Sequence, residues 1–220
     1  MTKISIPLNA TSEQAKSLQA LQVAFAEVCN ALTPRVQETR CWNRVTLHHL
    51  AYRELRQKFP SVGSQMVCNA IYSVSRTCRV VFQSASSPLN IKRLLDKPLP
   101  LLKFLPTSPV YFDRHTLSIR NGILSMYTLD GRIRFQVNLG PDEENLFLKG
   151  RLLEIVLQGD GVHYSLSFSF GAQGASTDMP AEAVWPQYVL LQSDNTDMHD
   201  FNFNFIVENG PKQNRSGVFQ

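Results

Sequence analysis

Asp160-Gly161-Val162-His163-Tyr164-Ser165-Leu166-Ser167-Phe168-Ser169-Phe170 is the stretch on which the reading of the fold turns. Val162, Tyr164, Leu166, Phe168 and Phe170 alternate with His163, Ser165, Ser167 and Ser169. A period of two belongs to a strand with one apolar and one wet face. Asp160-Gly161 tolerates positive backbone dihedrals, so the strand opens from a hairpin. Asn121-Gly122 and Asp130-Gly131 repeat that punctuation upstream. Between and around them, alternation predicts strands over 110–112, 116–119, 123–128, 133–137, 146–148 and 152–157.

Toward the N-terminus the pattern stops at a connector. Ser84, Ser86 and Ser87 are followed by prolines at 88, 98, 100, 106 and 109, which interrupt regular hydrogen bonding. Only 90–97 leaves room for one or two helical turns, carrying Lys92, Arg93 and Lys97. Before the connector the apolar period is three to four. Leu18, Leu21, Phe25, Val28, Cys29 and Leu32 predict a helix that starts at a Thr11–Gln14 capping box and ends near Pro34. A second helix is expected over 44–58, stopped by Pro60, and a third over about 62–82. Ile4, Ile6 and Leu8 mark a short opening strand over 2–8.

A strand, three helices able to cover one another's apolar faces, and at least six further strands predict an α+β fold. The expected architecture is a small antiparallel β-barrel with an inserted three-helix subdomain. The barrel would comprise 1–9 and 107–210, and the helical insertion with its proline-rich connector 10–106. The remainder, 211–220, would be a flexible tail. After Gly171 the pattern loosens. Residues 171–180 read as a turn region and 188–191 as a short strand, while Phe201, Phe203, Phe205 and Val207 alternate as an edge strand that would need a partner.

The chain has 220 residues, 43% of them hydrophobic and 18% charged, with 11 glycines and 12 prolines. That composition excludes collagen, an extended coiled coil and a wholly disordered chain. No apolar run is long enough to span a bilayer, and the first residues lack a signal peptide's apolar stretch, so a cytoplasmic protein is expected. Cys29, Cys41, Cys68 and Cys78 fit neither a CxxC pair nor a zinc knuckle and read as reduced structural thiols. The formal charge of +4 hides an asymmetry. Residues 1–106 hold 14 Lys and Arg against 5 Asp and Glu, whereas 107–220 hold 8 against 13. The basic half favours a polyanionic partner, most commonly nucleic acid.

Catalytic motifs are missing. His48 and His49 point about 100° apart on a helix and have no HExxH companion. His115, His163 and His199 belong to no triad pattern. The glycines sit in hairpin turns and not in a phosphate loop, so neither a cofactor nor a metal is implied.

Asn43-Arg44-Val45-Thr46-Leu47-His48-His49-Leu50-Ala51-Tyr52-Arg53-Glu54-Leu55-Arg56, continuing into Ser64-Gln65-Met66-Val67-Cys68-Asn69-Ala70-Ile71 and Ser75-Arg76, resembles the N-terminal part of the TnpB family. These are transposon-encoded, RNA-guided nucleases related to the CRISPR-associated Cas12 effectors. The opening strand, Cys29-Asn30-Ala31-Leu32, Val110-Tyr111-Phe112-Asp113 and Thr128-Leu129-Asp130-Gly131-Arg132-Ile133 follow the same order over residues 2–170. The resemblance implies a wedge-like β-barrel holding a helical recognition insertion, together gripping guide RNA and an RNA–DNA heteroduplex. Family members continue into a metal-dependent RuvC nuclease domain, whose residues find no match here. Asp194, Asp197 and Asp200 lack its flanking glycines and read as an acidic loop. The expectation is therefore a nuclease-dead RNA-binding module, an accessory or split subunit working with a separate effector protein, and not an enzyme.

Arginine offers phosphate a planar fork of donors. The expected nucleic-acid contacts are Arg40, Arg44, Arg53, Arg56, Arg76, Arg79, Lys92, Arg93, Arg132 and Arg134, with Trp42 and Tyr52 stacking on bases. The contrasting expectation is a protein-interaction subunit or truncated transposase remnant without RNA binding, docking through the Phe201–Val207 edge and the acidic half.

Overall fold

Ile4, Ile6 and Leu8 are buried along β1 (Thr2–Leu8), while the residues between them face outward, as alternation requires. The reciprocal cap follows. The Thr11 hydroxyl accepts from the Gln14 amide at 3.2 Å, and Gln14 Oε1 accepts from the Thr11 amide at 2.9 Å. From this cap runs α1 (Ser12–Thr39). The computed structural model describes residues 2–95, 97–171 and 185–192.

Helix α1 does not end near Pro34 as expected but continues to Thr39. Pro34 is exposed, and the carbonyl that its missing N–H would have reached, that of Asn30, accepts from the Thr33 hydroxyl at 3.1 Å instead. The helix stops at Arg40, whose φ of 50° is left-handed. Asn43 then caps α2 (Arg44–Lys58), accepting from the amides of Val45 and Thr46. Past Pro60, α3 (Ser64–Gln83) turns Met66, Val67, Ala70, Ile71, Val74 and Cys78 inward.

The connector is more ordered than its prolines imply. It holds the one-turn α4 (Ile91–Leu94) and β2 (Leu101–Phe104), a strand fitted between Pro100 and Pro106. Next come β3 (Val110–Phe112), β4 (Leu117–Arg120), β5 (Ile123–Thr128) and β6 (Gly131–Gln136). Asn121 and Gly122, with φ of 52° and 71°, make the expected tight turn between β4 and β5. The strand expected at 146–148 is instead part of α5 (Pro141–Lys149). Pro141 opens that helix, Asp142, Glu143 and Glu144 lie in its positive first turn, and Glu143 caps the Gly140 amide at 2.9 Å. The chain then forms β7 (Arg151–Gly159), β8 (Tyr164–Gly171) and β9 (Val189–Gln192). Residues 172–184 and 193–220 lie outside the described residues, and with them most of the 171–180 turn, the acidic loop, the Phe201–Val207 strand and the tail.

The expected barrel is not formed. Among the described residues three separate antiparallel sheets are present: β1-β8-β7-β3, β2-β9 and β4-β5-β6. A barrel requires each strand to pair on both sides, yet among the described residues β1 pairs only with β8 and β3 only with β7. The strands pack instead on helices, β3 on α3 and α1 and β2 on α1. The Asp113 turn also separates β3 from β4: its Oδ1 accepts from the amides of His115 and Thr116, both at 3.0 Å. Nor are the helices a three-helix insertion, because five are present among the described residues and two of the long ones lie directly on strands. Ser167 and Ser169 are only 5% exposed, so the serine side of β8, expected to be wet, is covered. No helix among the described residues is long and apolar enough to cross a membrane.

At the centre is α1. Leu18, Phe25, Val28 and Cys29 are fully buried on it, and its contacts reach α2, α3, β2, β3 and β5. Two of its amides grip strand or loop backbone. Asn30 Nδ2 donates to the Phe104 carbonyl at 3.0 Å while its Oδ1 accepts from the Phe104 amide at 2.7 Å, as a neighbouring strand would. Gln22 Nε2 lies 3.4 Å from the carbonyls of Thr107, Ser108 and Gly159. Asn30→Ala strips two partners from the Phe104 backbone and should destabilise the fold by about 2 to 3 kcal/mol. Asn145→Ala, at an exposed helical position, should stay within about 0.5 kcal/mol, both read as shifts in urea midpoint at constant slope.

Candidate nucleic-acid interface

Helices α2 and α3 are packed neighbours, and polar side chains line the seam between them. Arg44, His48, Tyr52 and Arg56 recur every four residues and so form one stripe along α2. On α3, Gln65, Cys68, Tyr72 and Arg76, spaced by three, four and four, form a second stripe, each only partly buried. The stripes meet across the seam. Arg44 places its guanidinium 5.2 Å from the centroid of the Tyr72 ring, and Arg56 donates to the carbonyls of Phe59 and Val62 at the turn between the helices. His48 and Tyr52 stack, with centroids 4.6 Å apart and planes inclined by 18°. His49, one residue on, faces solvent.

An open cleft of about 370 Å³ lies among Arg44, Val45, His48, Gln65, Cys68 and Ile71. At its strand side stands a polar network. Glu154 Oε1 accepts from the Tyr72 hydroxyl and from Arg76 Nε, both at 2.6 Å. A bulge at Leu153 positions that carboxylate, since the register jumps from Leu152 opposite Phe170 to Glu154 opposite Ser169. Tyr111 meets Tyr72 edge to face at 5.4 Å, and Asp113 Oδ2 accepts from Gln65.

Burial and neighbouring charges shift three groups of the seam. Burial pushes the Tyr72 phenol up to about 12, with the adjacent Glu154 charge and its hydrogen bond adding to the effect. Burial opposes the Arg76 charge, but Tyr111 and Glu154 outweigh it and hold that guanidinium above its ordinary value. Burial also raises the Cys68 thiol; Arg44 and Arg56 pull it down and Asp113 pushes it up, leaving it raised. A thiol held protonated beside two arginines is a poor nucleophile. Cys29 and Cys78 are core thiols that burial raises further, and all four cysteines are free. Among the described residues, no group of three or more His, Cys, Asp or Glu gathers to hold a metal.

The structure thus brings Arg44, Tyr52, Arg56 and Arg76 to one seam, with Arg76 neutralised by Glu154. Arg53 lies on the outer side of α2. Arg40, at the end of α1, and the α4 pair Lys92 and Arg93 are exposed. Arg40 donates to the Lys97 carbonyl at 3.1 Å, and Arg93 to that of Ala85 at 3.4 Å. Arg79 is exposed one turn beyond Arg76. Trp42 is 8% exposed and packs on Phe82 at 5.4 Å, so it has no ring face to offer a base. Arg132 and Arg134 lie elsewhere, on the β4-β5-β6 sheet. His48, Cys68, Tyr72 and Glu154 were not among the expected contacts. The four-residue spacing from Arg44 was the available signal for His48, whereas the pairing of Glu154 with residues 78 and 82 positions away left none.

No protein-family model matches the chain, and no curated protein matches it.

The Tyr72 phenol retains its proton in the folded state above the ordinary value of 10.0. Folded protein therefore binds more protons than unfolded chain between about pH 10 and 12, and stability falls across that window as pH rises. Tyr72→Phe should make the fall shallower in urea unfolding at graded alkaline pH. Glu154→Gln should move the Tyr72 ionisation, followed by ultraviolet difference absorbance against Tyr72→Phe, to lower pH.

Proposed function

We propose that the chain is an RNA-binding module without catalytic chemistry of its own, a cytoplasmic accessory or split subunit of a TnpB-like, guide-dependent system. One observation carries the reading: the Arg44-His48-Tyr52-Arg56 stripe bordering an open cleft, with an arginine at each end that enters no ion pair among the described residues. Arg44 to Arg56 spans about 18 Å of helix, roughly five nucleotides at 3.4 Å per nucleotide along one strand of a duplex. Cations at the two ends and a stacked His48–Tyr52 pair between them suit a backbone lying along the seam. Arg40, Arg79, Lys92 and Arg93 would extend the same positive field past the end of α1.

The ordered resemblance over residues 2–170 supports RNA as the polyanion, although the barrel that it implied contributes nothing to the argument. The raised thiol of Cys68 favours binding over nucleophilic catalysis at this cleft. Arg44 and Arg53 are the suitable test positions, because both are exposed and neither enters an ion pair among the described residues.

A labelled structured RNA hairpin, titrated by fluorescence anisotropy at several salt concentrations, tests the reading. Arg44→Ala and Arg53→Ala should each weaken binding and reduce the slope of log affinity against log salt by roughly one. Trp42→Phe should leave that slope unchanged. Unaltered slopes in both arginine variants, or no binding by the parent chain, would overturn the proposal.

A further inference from the structure

The β4-β5-β6 sheet buries Leu117, Leu124, Met126 and Phe135 on one side. Its register sets Arg120 beside Ile123, Ser125 beside Arg134 and Tyr127 beside Arg132 on the other. Two features distinguish this outer face from an ordinary solvated sheet. First, Tyr127 is 43% exposed while the Arg132 guanidinium lies 4.3 Å from its ring centroid. Arg132 is itself pinned, donating to the carbonyl and hydroxyl of Ser125, both at 3.2 Å, and to the His115 carbonyl at 3.0 Å. A fixed cation therefore backs the ring and limits the side-chain freedom lost when something stacks on it. Second, Arg120, Arg132 and Arg134 enter no ion pair among the described residues, and none of the residues on this face is acidic. The nearest acid in sequence, Asp130, sits in the β5–β6 turn.

We infer that this sheet face binds an unpaired RNA strand, one base stacking on the free side of Tyr127 and the flanking phosphates meeting Arg120 and Arg134. Stacking requires an exposed base, which a duplex hides, so the face selects single strands; its unopposed positive charge selects a polyanion over an ordinary protein partner. The inference rests on the RNA-binding reading above and extends it to a second contact surface whose residues are separate from the α2–α3 seam.

The test uses the full chain with three probes: a short labelled oligouridine, a blunt RNA duplex and polyglutamate. Tyr127→Ala should weaken oligouridine binding about tenfold, Tyr127→Phe should retain it, and duplex binding should not change. Arg134→Glu should weaken oligouridine binding as well. If Tyr127→Ala binds oligouridine like the parent while Arg44→Ala still weakens the hairpin, the sheet-face inference falls and the seam reading stands. Failure of the parent to bind any RNA removes both. Polyglutamate binding that drops equally in Tyr127→Ala would make the face a docking site for acidic protein and overturn the inference.

Discussion

The two-point hydrogen bond between the Asn30 amide and the Phe104 backbone joins the helical half of the molecule to its strands. A helix side chain there satisfies a strand residue that would otherwise need another strand, and so the β2-β9 ribbon can end against α1. Gln22 makes a similar junction with the carbonyls that flank β3 and end β7. With both contacts made, α1 is enclosed by helices on one side and strands on the other. The sheets pack on α1 and α3 in place of curling into a cylinder.

The seam between α2 and α3 follows from that arrangement. Each helix spends its apolar face on the core, as Leu47, Ala51 and Leu55 do on α2. The polar stripe runs along the flank that remains on each. Arginine and aromatic side chains suit such a border, since their stems and rings pack while their polar ends stay wet. The bulge at Leu153 then brings Glu154 to the α3 stripe. That carboxylate neutralises Arg76 and ties Tyr72, leaving Arg44 and Arg56 as the cations at the two ends of the α2 stripe. Tyr127 and its neighbours repeat the pairing of an aromatic with arginine on a separate sheet.

Local signals in the sequence were reliable where they carried their own physics. The Thr11–Gln14 box, the bounds of α2 and the Asn121-Gly122 turn each reflect interactions within a few residues, whereas the alternation of β8 located a strand but not its wet face, since neighbours cover the serines. Closure of the sheet had no such local signal, because whether an edge pairs depends on what packs beside it. Pro34 misled for a related reason: the Asn30 carbonyl is rescued by the buried Thr33 hydroxyl while the proline ring itself stays exposed. At the 146–148 segment, apolar content suggested a strand, but the capping chemistry of Pro141 and Glu143 decided for a helix. Arginines could be counted from the sequence, yet their partners could not. Arg76 looked as available as Arg44 until a residue on β7 neutralised it, and Trp42 looked like a stacking residue until Phe82 covered it.

Zero-length ultraviolet crosslinking of the full chain to RNA co-purified from its native host, with the crosslinked peptides read by mass spectrometry, tests the central claim most directly. The account predicts a recoverable RNA and crosslinks concentrated on the α2 and α3 peptides that carry His48, Tyr52 and Cys68. Crosslinks confined to other surfaces, or a purified chain carrying no RNA, would contradict it.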